Sequence, residues 1–315
     1  MVDLSIVIVS WNSRLDLMRC LGSLKTSHPS VAYEVVVVDN ASSDETVAFL
    51  KQTYPDVHVI VNEHNRGFAA ANNQAFGVVR GRYILLLNPD TLVHDGALDA
   101  LVAFMDTHTD AGAAGPILCN KDGSLQYTGV RFPRVGDLLV ESLFLDQIFP
   151  RSRIFGRHKE TYADVHSVRS VDFVQGSCMI VRSDIVRSVG GLDENFFLYF
   201  EEVDWCKRMQ DAGYRVYVVP WARITHLANV EIGHYNEHRV VHYHRSLLRL
   251  FQKHHGFVDR VLLRAVLALR SIIRILVWSV MALVRPSLRS KSISAMRGYV
   301  RTLGLLLRRK EPVHV

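Results

Sequence analysis

The chain has 315 residues and is 49% apolar, enough to bury a large core and to exclude a disordered or fibrous protein. Its four cysteines, Cys20, Cys119, Cys178 and Cys206, contain no Cys-x-x-Cys pair, and the N-terminus lacks the basic and apolar regions of a signal peptide, so a reducing, cytosolic setting is expected. The net charge of +6 hides an asymmetry: residues 1–238 hold 21 Lys and Arg against 29 Asp and Glu, whereas residues 239–315 hold 16 against 2. An acidic body carries a basic tail, and such a tail seeks phosphates.

Taken in order, Leu4 to Val9 reads as a buried strand ending at Ser10, followed by a helix with Leu15, Met18, Leu21 and Leu24 expected on one face. Val35 to Val38 is a second strand ending at Asp39. Ser42 to Glu45 then offer side chains to cap the helix of Val47, Leu50 and Tyr54. Val57 to Val61 gives a third strand, an alanine-rich helix follows Asn65-Arg66-Gly67, and Tyr83 to Leu87 is a strand buried on both faces. This alternation predicts a doubly wound α/β sheet with right-handed crossovers. Ala113 to Leu118 is a further strand, and residues 132–164 read as a long excursion or lid. Order returns with strands at Val171 to Arg182 and Arg215 to Val219, separated by a helix from Ser183, a Gly190-Gly191 turn and a helix that starts in the acidic run Glu201-Glu202-Val203-Asp204.

Ligands of open α/β sheets bind beyond the carboxyl ends of the strands. Asp39 and the turn Asn88-Pro89-Asp90 both fall there. Asp39 suits a nucleobase imide or a ribose hydroxyl, or else a local turn. Asp90 suits a divalent cation held against phosphate, or else a helix cap. His226 offers a neutral imidazole to the same ion, or is an ordinary surface histidine. Asn65, Arg66 and Gly67 can meet phosphate through backbone N–H groups at a helix start. Glu201 and Glu202 are close enough to raise each other's pKa, as a general base requires, although acidic residues also favour a helix N-terminus in their own right. Histidines 234, 238, 242, 244, 254 and 255 show no zinc spacing and are expected to be solvated or to face phosphate. Arg245 in His-Tyr-His-Arg-Ser suits a pyrophosphate.

In sequence order, Ser5-Ile-Val-Ile-Val-Ser-Trp-Asn12, Val38-Asp-Asn-Ala-Ser-Ser-Asp44, Asn65-Arg-Gly-Phe-Ala-Ala-Ala-Asn-Asn73, Leu87-Asn-Pro-Asp90, Gly176-Ser-Cys-Met179, Gly190-Gly-Leu-Asp193, Phe200-Glu-Glu-Val-Asp204 and His226 resemble the inverting family 2 glycosyltransferases of GT-A fold, in their bacterial rhamnosyltransferase-like branch. The resemblance covers about residues 4 to 255. It implies a mostly parallel mixed sheet and a catalytic domain over 1–256, and the remaining residues, 257–315, are expected to form a membrane-association region. It implies that Asp39 binds the base of a nucleoside diphosphate sugar, with Ser10 and Asn65 nearby. Asp90 and His226 would hold Mg²⁺ or Mn²⁺ on the diphosphate, and Glu202, with Glu201 as the alternative, would take the acceptor proton. Asn88 stands where the family's metal motif has its first aspartate, and Glu202 where relatives typically have aspartate. The implied donor is dTDP-rhamnose and the implied acceptor a glycan or a polyprenyl-diphosphate-linked sugar. An inactive nucleotide-sugar-binding scaffold at the membrane is the alternative. A nicotinamide-dependent oxidoreductase is excluded, because Ser10-Trp-Asn-Ser-Arg-Leu replaces the glycine-rich turn that its cofactor needs.

In the tail, Arg260, Arg264, Arg270, Arg274 and Arg285 share one helical face and apolar residues fill the others, the pattern of a helix lying in a membrane interface. The longest uncharged run, Ile275 to Val284, is about half of what a spanning helix needs. Docking on the cytoplasmic face without spanning is therefore expected, the alternative being a core-packing helical hairpin or a buried dimer interface. Sparse aromatic interleaving argues against a nucleic-acid partner.

Overall fold

The computed structural model describes residues 2–126, 128–160, 162–227 and 236–307, and His234 lies outside them. The chain forms two compact units, one of Met1–Phe132, Ala163–Glu194 and Glu201–Ala228, the other of Pro133–Tyr162, Asn195–Phe200 and Asn229–Val315.

The first unit opens with β1 (Leu4–Ser10), α1 (Arg14–Thr26), β2 (Tyr33–Asp39), α2 (Thr46–Thr53), β3 (His58–Val61), α3 (Gly67–Phe76) and β4 (Tyr83–Leu87). These strands are parallel neighbours in the order β3-β2-β1-β4, and the register sets Ser10 beside Asp39 at their carboxyl ends. Every residue of β4 is buried, as its unbroken apolar run requires. Next come β5 (Thr91–Val93), α4 (Ala97–Thr107), β6 (Ala111–Cys119) and β7 (Gly129–Val130).

The second unit takes α5 (Val135–Ser142) and α6 (Leu145–Ile148) from the excursion. The first unit resumes with β8 (Arg169–Val171), β9 (Phe173–Val174), β10 (Cys178–Arg182), α7 (Ser183–Ser188), α8 (Glu201–Asp211) and β11 (Arg215–His226). β10 enters the sheet antiparallel between β4 and β6, β11 runs parallel to β6, and β5 and β8 pair antiparallel with β11. The sheet is therefore mixed. Its core joins Ile6, Ile8, Leu85 and Ile180 to Leu98 and Leu101 of α4.

One expectation fails on α1. Its buried stripe is Leu17, Cys20, Leu21 and Leu24, while Leu15 and Met18 are exposed. At 3.6 residues per turn Leu15 falls opposite Leu24, so the four leucine and methionine positions never shared a face.

The second unit is completed by α9 (Glu237–His254), α10 (Phe257–Val284) and α11 (Arg289–Leu307), with Pro286 starting a short 3₁₀ turn between the last two. Leu138 of α5 packs with Leu247, Leu248 and Phe251 of α9 and with Leu263, Val266 and Leu267 of α10. The residue 132–164 excursion thus has helices with a core of their own. Along α10 the arginine side turns inward: Arg264 donates from Nη1 to Leu306 O (2.7 Å) and Arg274 lies over the Phe144 ring (4.1 Å). Val258, Val261, Leu262, Leu269, Ile272, Leu276, Val280 and Leu283 are exposed. His244 is buried, contrary to the expectation of a solvated ring, because α9 directs it at the other helices; burial, then the charges of Arg270 and Arg274, push its pKa down to about 3.

Candidate active site

In the first unit, the loops after β1 and β2 are tied together. Asn12 N–H donates to Ser42 Oγ (2.9 Å), Ser43 N–H to Asn12 Oδ1 (2.7 Å), and Arg14 N–H to Asp44 Oδ2 (2.9 Å). Asp44 also receives the Thr46 N–H and hydroxyl, so it alone of residues 42–45 serves the start of α2 by a side chain. Beneath these loops Ser10 Oγ meets Ser13 Oγ at 2.9 Å, and Asp39 is 1% exposed. Asp39 Oδ2 accepts from Ser42 N–H (2.9 Å), whereas Oδ1 is buried without a partner. A buried carboxylate oxygen with no donor is costly, and it stands where a strand-end ligand would supply one.

The start of α3 is used differently from expectation. Gly67 N–H donates to Asn65 Oδ1 (2.9 Å) in an Asx-type turn and Arg66 N–H to Asn40 Oδ1 (3.4 Å), so two of the N–H groups expected to meet phosphate are occupied by asparagine side chains. The Arg66 guanidinium stands 3.9 Å from Glu194, a loose exposed pair.

Past β4, Asn88 N–H donates to Ser177 O (2.9 Å), its carbonyl accepts from Thr91 Oγ1 (2.7 Å), and Asp90 is reached two residues later. β5 pairs with β11 so that Thr91 lies opposite His226, which carries the imidazole to the aspartate: His226 Nε2 is 3.3 Å from Asp90 Oδ1. On its other side His226 Nδ1 meets Gln126 Oε1 at 3.0 Å. Gln126 Nε2 donates to Asn120 Oδ1 (2.8 Å) and to His226 O (2.9 Å), which fixes its oxygen toward the ring. With Nδ1–H given to that oxygen, the Nε2 lone pair faces a carboxylate. Two acceptors at this distance need a cation between them, a proton or a metal ion, and a carboxylate with an imidazole suits Mg²⁺ or Mn²⁺ that completes its shell from phosphate and water. Sequence reasoning missed Gln126.

The acidic run begins α8 after Tyr199 and Phe200, both with positive φ (69° and 66°). Glu201 is 5% exposed with Oε2 unpartnered; desolvation, then the charge of Glu202, raises its pKa well above the carboxylate range. Glu202 is less buried and lies at the Gly176 turn: a Cβ on Gly176 would stand 3.6 Å from both Glu202 Cβ and the Phe68 ring. Ser177, next in that turn, is the residue that receives Asn88 N–H. Asp204 is fully buried and accepts from Arg208 Nε (2.9 Å), whose Nη groups bind Val189 O and Gly191 O. Trp205 Nε1 donates to Gly190 O (2.8 Å), and a Cβ on Gly191 would collide with Asn73 Oδ1 at 2.5 Å. The Gly190-Gly191 motif is a packing joint. Arg245 lies on α9, in the second unit.

The mixed, mostly parallel sheet is that of the GT-A glycosyltransferases. The fold matches a mannosyltransferase from Pyrobaculum calidifontis in complex with GDP-Man and Mn²⁺ (TM-score 0.58, 15% identity, 96% of this chain and 86% of that one). It also matches GalNAc-T7 with UDP, GalNAc and Mn²⁺ (TM-score 0.56, 17% identity), covering 73% of this chain but 44% of that one. The chain belongs to glycosyl transferase family 2, whose model matches residues 5–190, and to its rhamnosyltransferase-like branch. It is 30% identical over 285 residues to the N-acetylglucosaminyl-diphospho-decaprenol L-rhamnosyltransferase of Mycobacterium tuberculosis (strain ATCC 25618 / H37Rv), covering 85% of this chain and 91% of that protein. Rhamnosyltransferase WbbL of Escherichia coli (strain K12) is 30% identical over 236 residues, 71% of this chain and 83% of its own length.

Proposed function

We propose that this glycosyltransferase moves L-rhamnose from dTDP-rhamnose, with inversion, to a hydroxyl of a polyprenyl-diphosphate-linked sugar or related glycan in cell-envelope polysaccharide synthesis. The pairing of Asp90 with His226 under the hold of Gln126 carries this reading. The names of the rhamnosyltransferase relatives support the sugar and the kind of acceptor.

In this reading Asp39 Oδ1 accepts the imide N–H of the donor base, with Ser10 and Asn65 lining the same end, and Arg66 and Asn88 serve the diphosphate. Asp90 and His226 hold Mg²⁺ or Mn²⁺, which when bound neutralises charge on the departing diphosphate. Glu202 takes the proton of the acceptor hydroxyl as that oxygen attacks the anomeric carbon from the face opposite the leaving group. Glu201, whose pKa is raised by burial and then by the charge of Glu202, is the alternative base.

Residues 1–256 serve transfer, and residues 257–315 attach the enzyme to the cytoplasmic face of the membrane. By length and composition α10 is long and apolar enough to cross a bilayer. Its arginine side is covered by protein and its apolar side is exposed, which favours a helix lying on the surface with that side in the lipid. Proton NMR of the product from dTDP-β-L-rhamnose tests the stereochemistry: an α-linked rhamnoside is expected, and a β-linked one would overturn inversion.

A further inference from the structure

We infer that the second unit contains a binding site for a phosphoryl group, built on Arg270 and Arg274 of α10. The Arg270 side chain is 13% exposed and lies over the Tyr243 ring (5.5 Å). Its nearest carboxylate is Glu141 at 3.6 Å, which also faces His158 Nε2 at 3.8 Å, and Arg270 Nε and Nη1 are buried without a hydrogen bond. Arg274, one turn on, has the Phe144 ring beneath it and a buried Nε without a hydrogen bond. Arg264 on the same helix is satisfied by Leu306 O and Arg301 of α11 by Glu237 (2.6 Å).

Arg270 has one carboxylate beside it, Glu141, and at 3.6 Å that pair is loose. Burying such charge costs several kcal/mol per ion unless good partners repay it, and each unmet buried donor adds to the cost. An anion with several oxygens repays both. Guanidinium forks match phosphate oxygens geometrically, and two of them four residues apart sit about 6 Å apart along the axis, within the span of one or two linked phosphoryl groups. The phosphoryl group can belong to a prenyl diphosphate or be free in solution. The first source rests on the proposed lipid-linked acceptor and accords with the exposed apolar side of α10; the site itself does not depend on it.

Calorimetric titration of the full-length protein in metal-free buffer, with inorganic pyrophosphate in one arm and farnesyl diphosphate in the other, tests this. Binding of at least one probe is expected, weakened at least tenfold by Arg270→Gln and by Arg274→Gln. Arg274→Lys, which keeps the charge and loses the fork, should fold normally and bind less. A preference for farnesyl diphosphate over pyrophosphate assigns the lipid source, and equal binding assigns the free one. Thermal unfolding supplies an independent readout: a site built for an absent anion predicts that Arg270→Gln melts no lower than wild type without ligand, whereas a structural arginine predicts a lower melting temperature. Undiminished binding in both glutamine variants, or no wild-type binding of either probe, overturns the site. Binding of dTDP with Mn²⁺ is measured in parallel: if it persists while diphosphate binding is absent, only the second-unit site fails, and if dTDP also fails to bind, the donor-site reading fails with it.

Discussion

Gln126 holds His226 by both ends, accepting from the ring at Nδ1 (3.0 Å) and donating to the backbone carbonyl (2.9 Å), and thereby turns Nε2 onto Asp90. Gln126→Ala frees the ring to rotate. Such supporting hydrogen bonds are commonly worth about 10- to 100-fold in metal affinity. Manganese titration followed by electron paramagnetic resonance should show a loss in that range with the fold unchanged by circular dichroism; unaltered affinity would mean that the ring is held by other contacts.

Asp90→Ala removes the carboxylate from the same pair. Turnover should fall by orders of magnitude, since a Lewis acid contributes several kcal/mol to leaving-group stabilisation. Full activity of this variant in EDTA would show that Asp90 has no metal to hold.

Glu202→Gln should retain donor binding and lose about 10² to 10⁴ in rate, the usual range for a missing general base. Glu201→Gln should retain most activity. If the outcomes exchange, the base is Glu201.

Glu201 also makes a prediction about stability. Its folded-state pKa lies above the unfolded value, chiefly through desolvation, so the folded protein binds more protons in the window between the two. Its contribution is complete below the unfolded pKa and is lost as pH rises through the folded one. Urea unfolding across pH should show this decline in wild type and a flatter profile in Glu201→Gln; parallel profiles would count against the assignment.

The apolar side of α10 predicts membrane binding that can be removed without touching the site. Full-length protein should float with anionic liposomes at low salt, and Leu269→Asp combined with Leu276→Asp should stay at the bottom of the gradient. Equal flotation of the two proteins would refute a lipid-facing stripe.

Much of the donor-side geometry was legible because it is local. A five-residue apolar run ending in Asn-Pro-Asp announces a buried strand with a carboxylate at its end, and β4 is that strand. Strand direction is not local: nothing in Cys178 to Arg182 says that β10 runs antiparallel between β4 and β6. Gln126 was invisible for the same reason, being a lone glutamine in an irregular stretch whose partner is 100 residues away. Arg264 and Arg274 turn toward protein, and the sequence does not tell which face of the helix does so. Asp204 shows the converse limit, since a carboxylate inside a family motif proved to be tied to Arg208 and to shape the Gly190-Gly191 turn.

Metal-assisted sugar transfer through Asp90 and His226 is tested most directly by product mass. The enzyme is incubated with polyprenyl-diphosphate-linked GlcNAc and, in separate reactions, dTDP-rhamnose, UDP-sugars and GDP-sugars, each with Mn²⁺ and with EDTA. The account predicts addition of one deoxyhexose from dTDP-rhamnose with Mn²⁺, and none in EDTA or with Asp90→Ala. Equal product in EDTA, or no transfer from any donor by a protein that still binds dTDP, would contradict it.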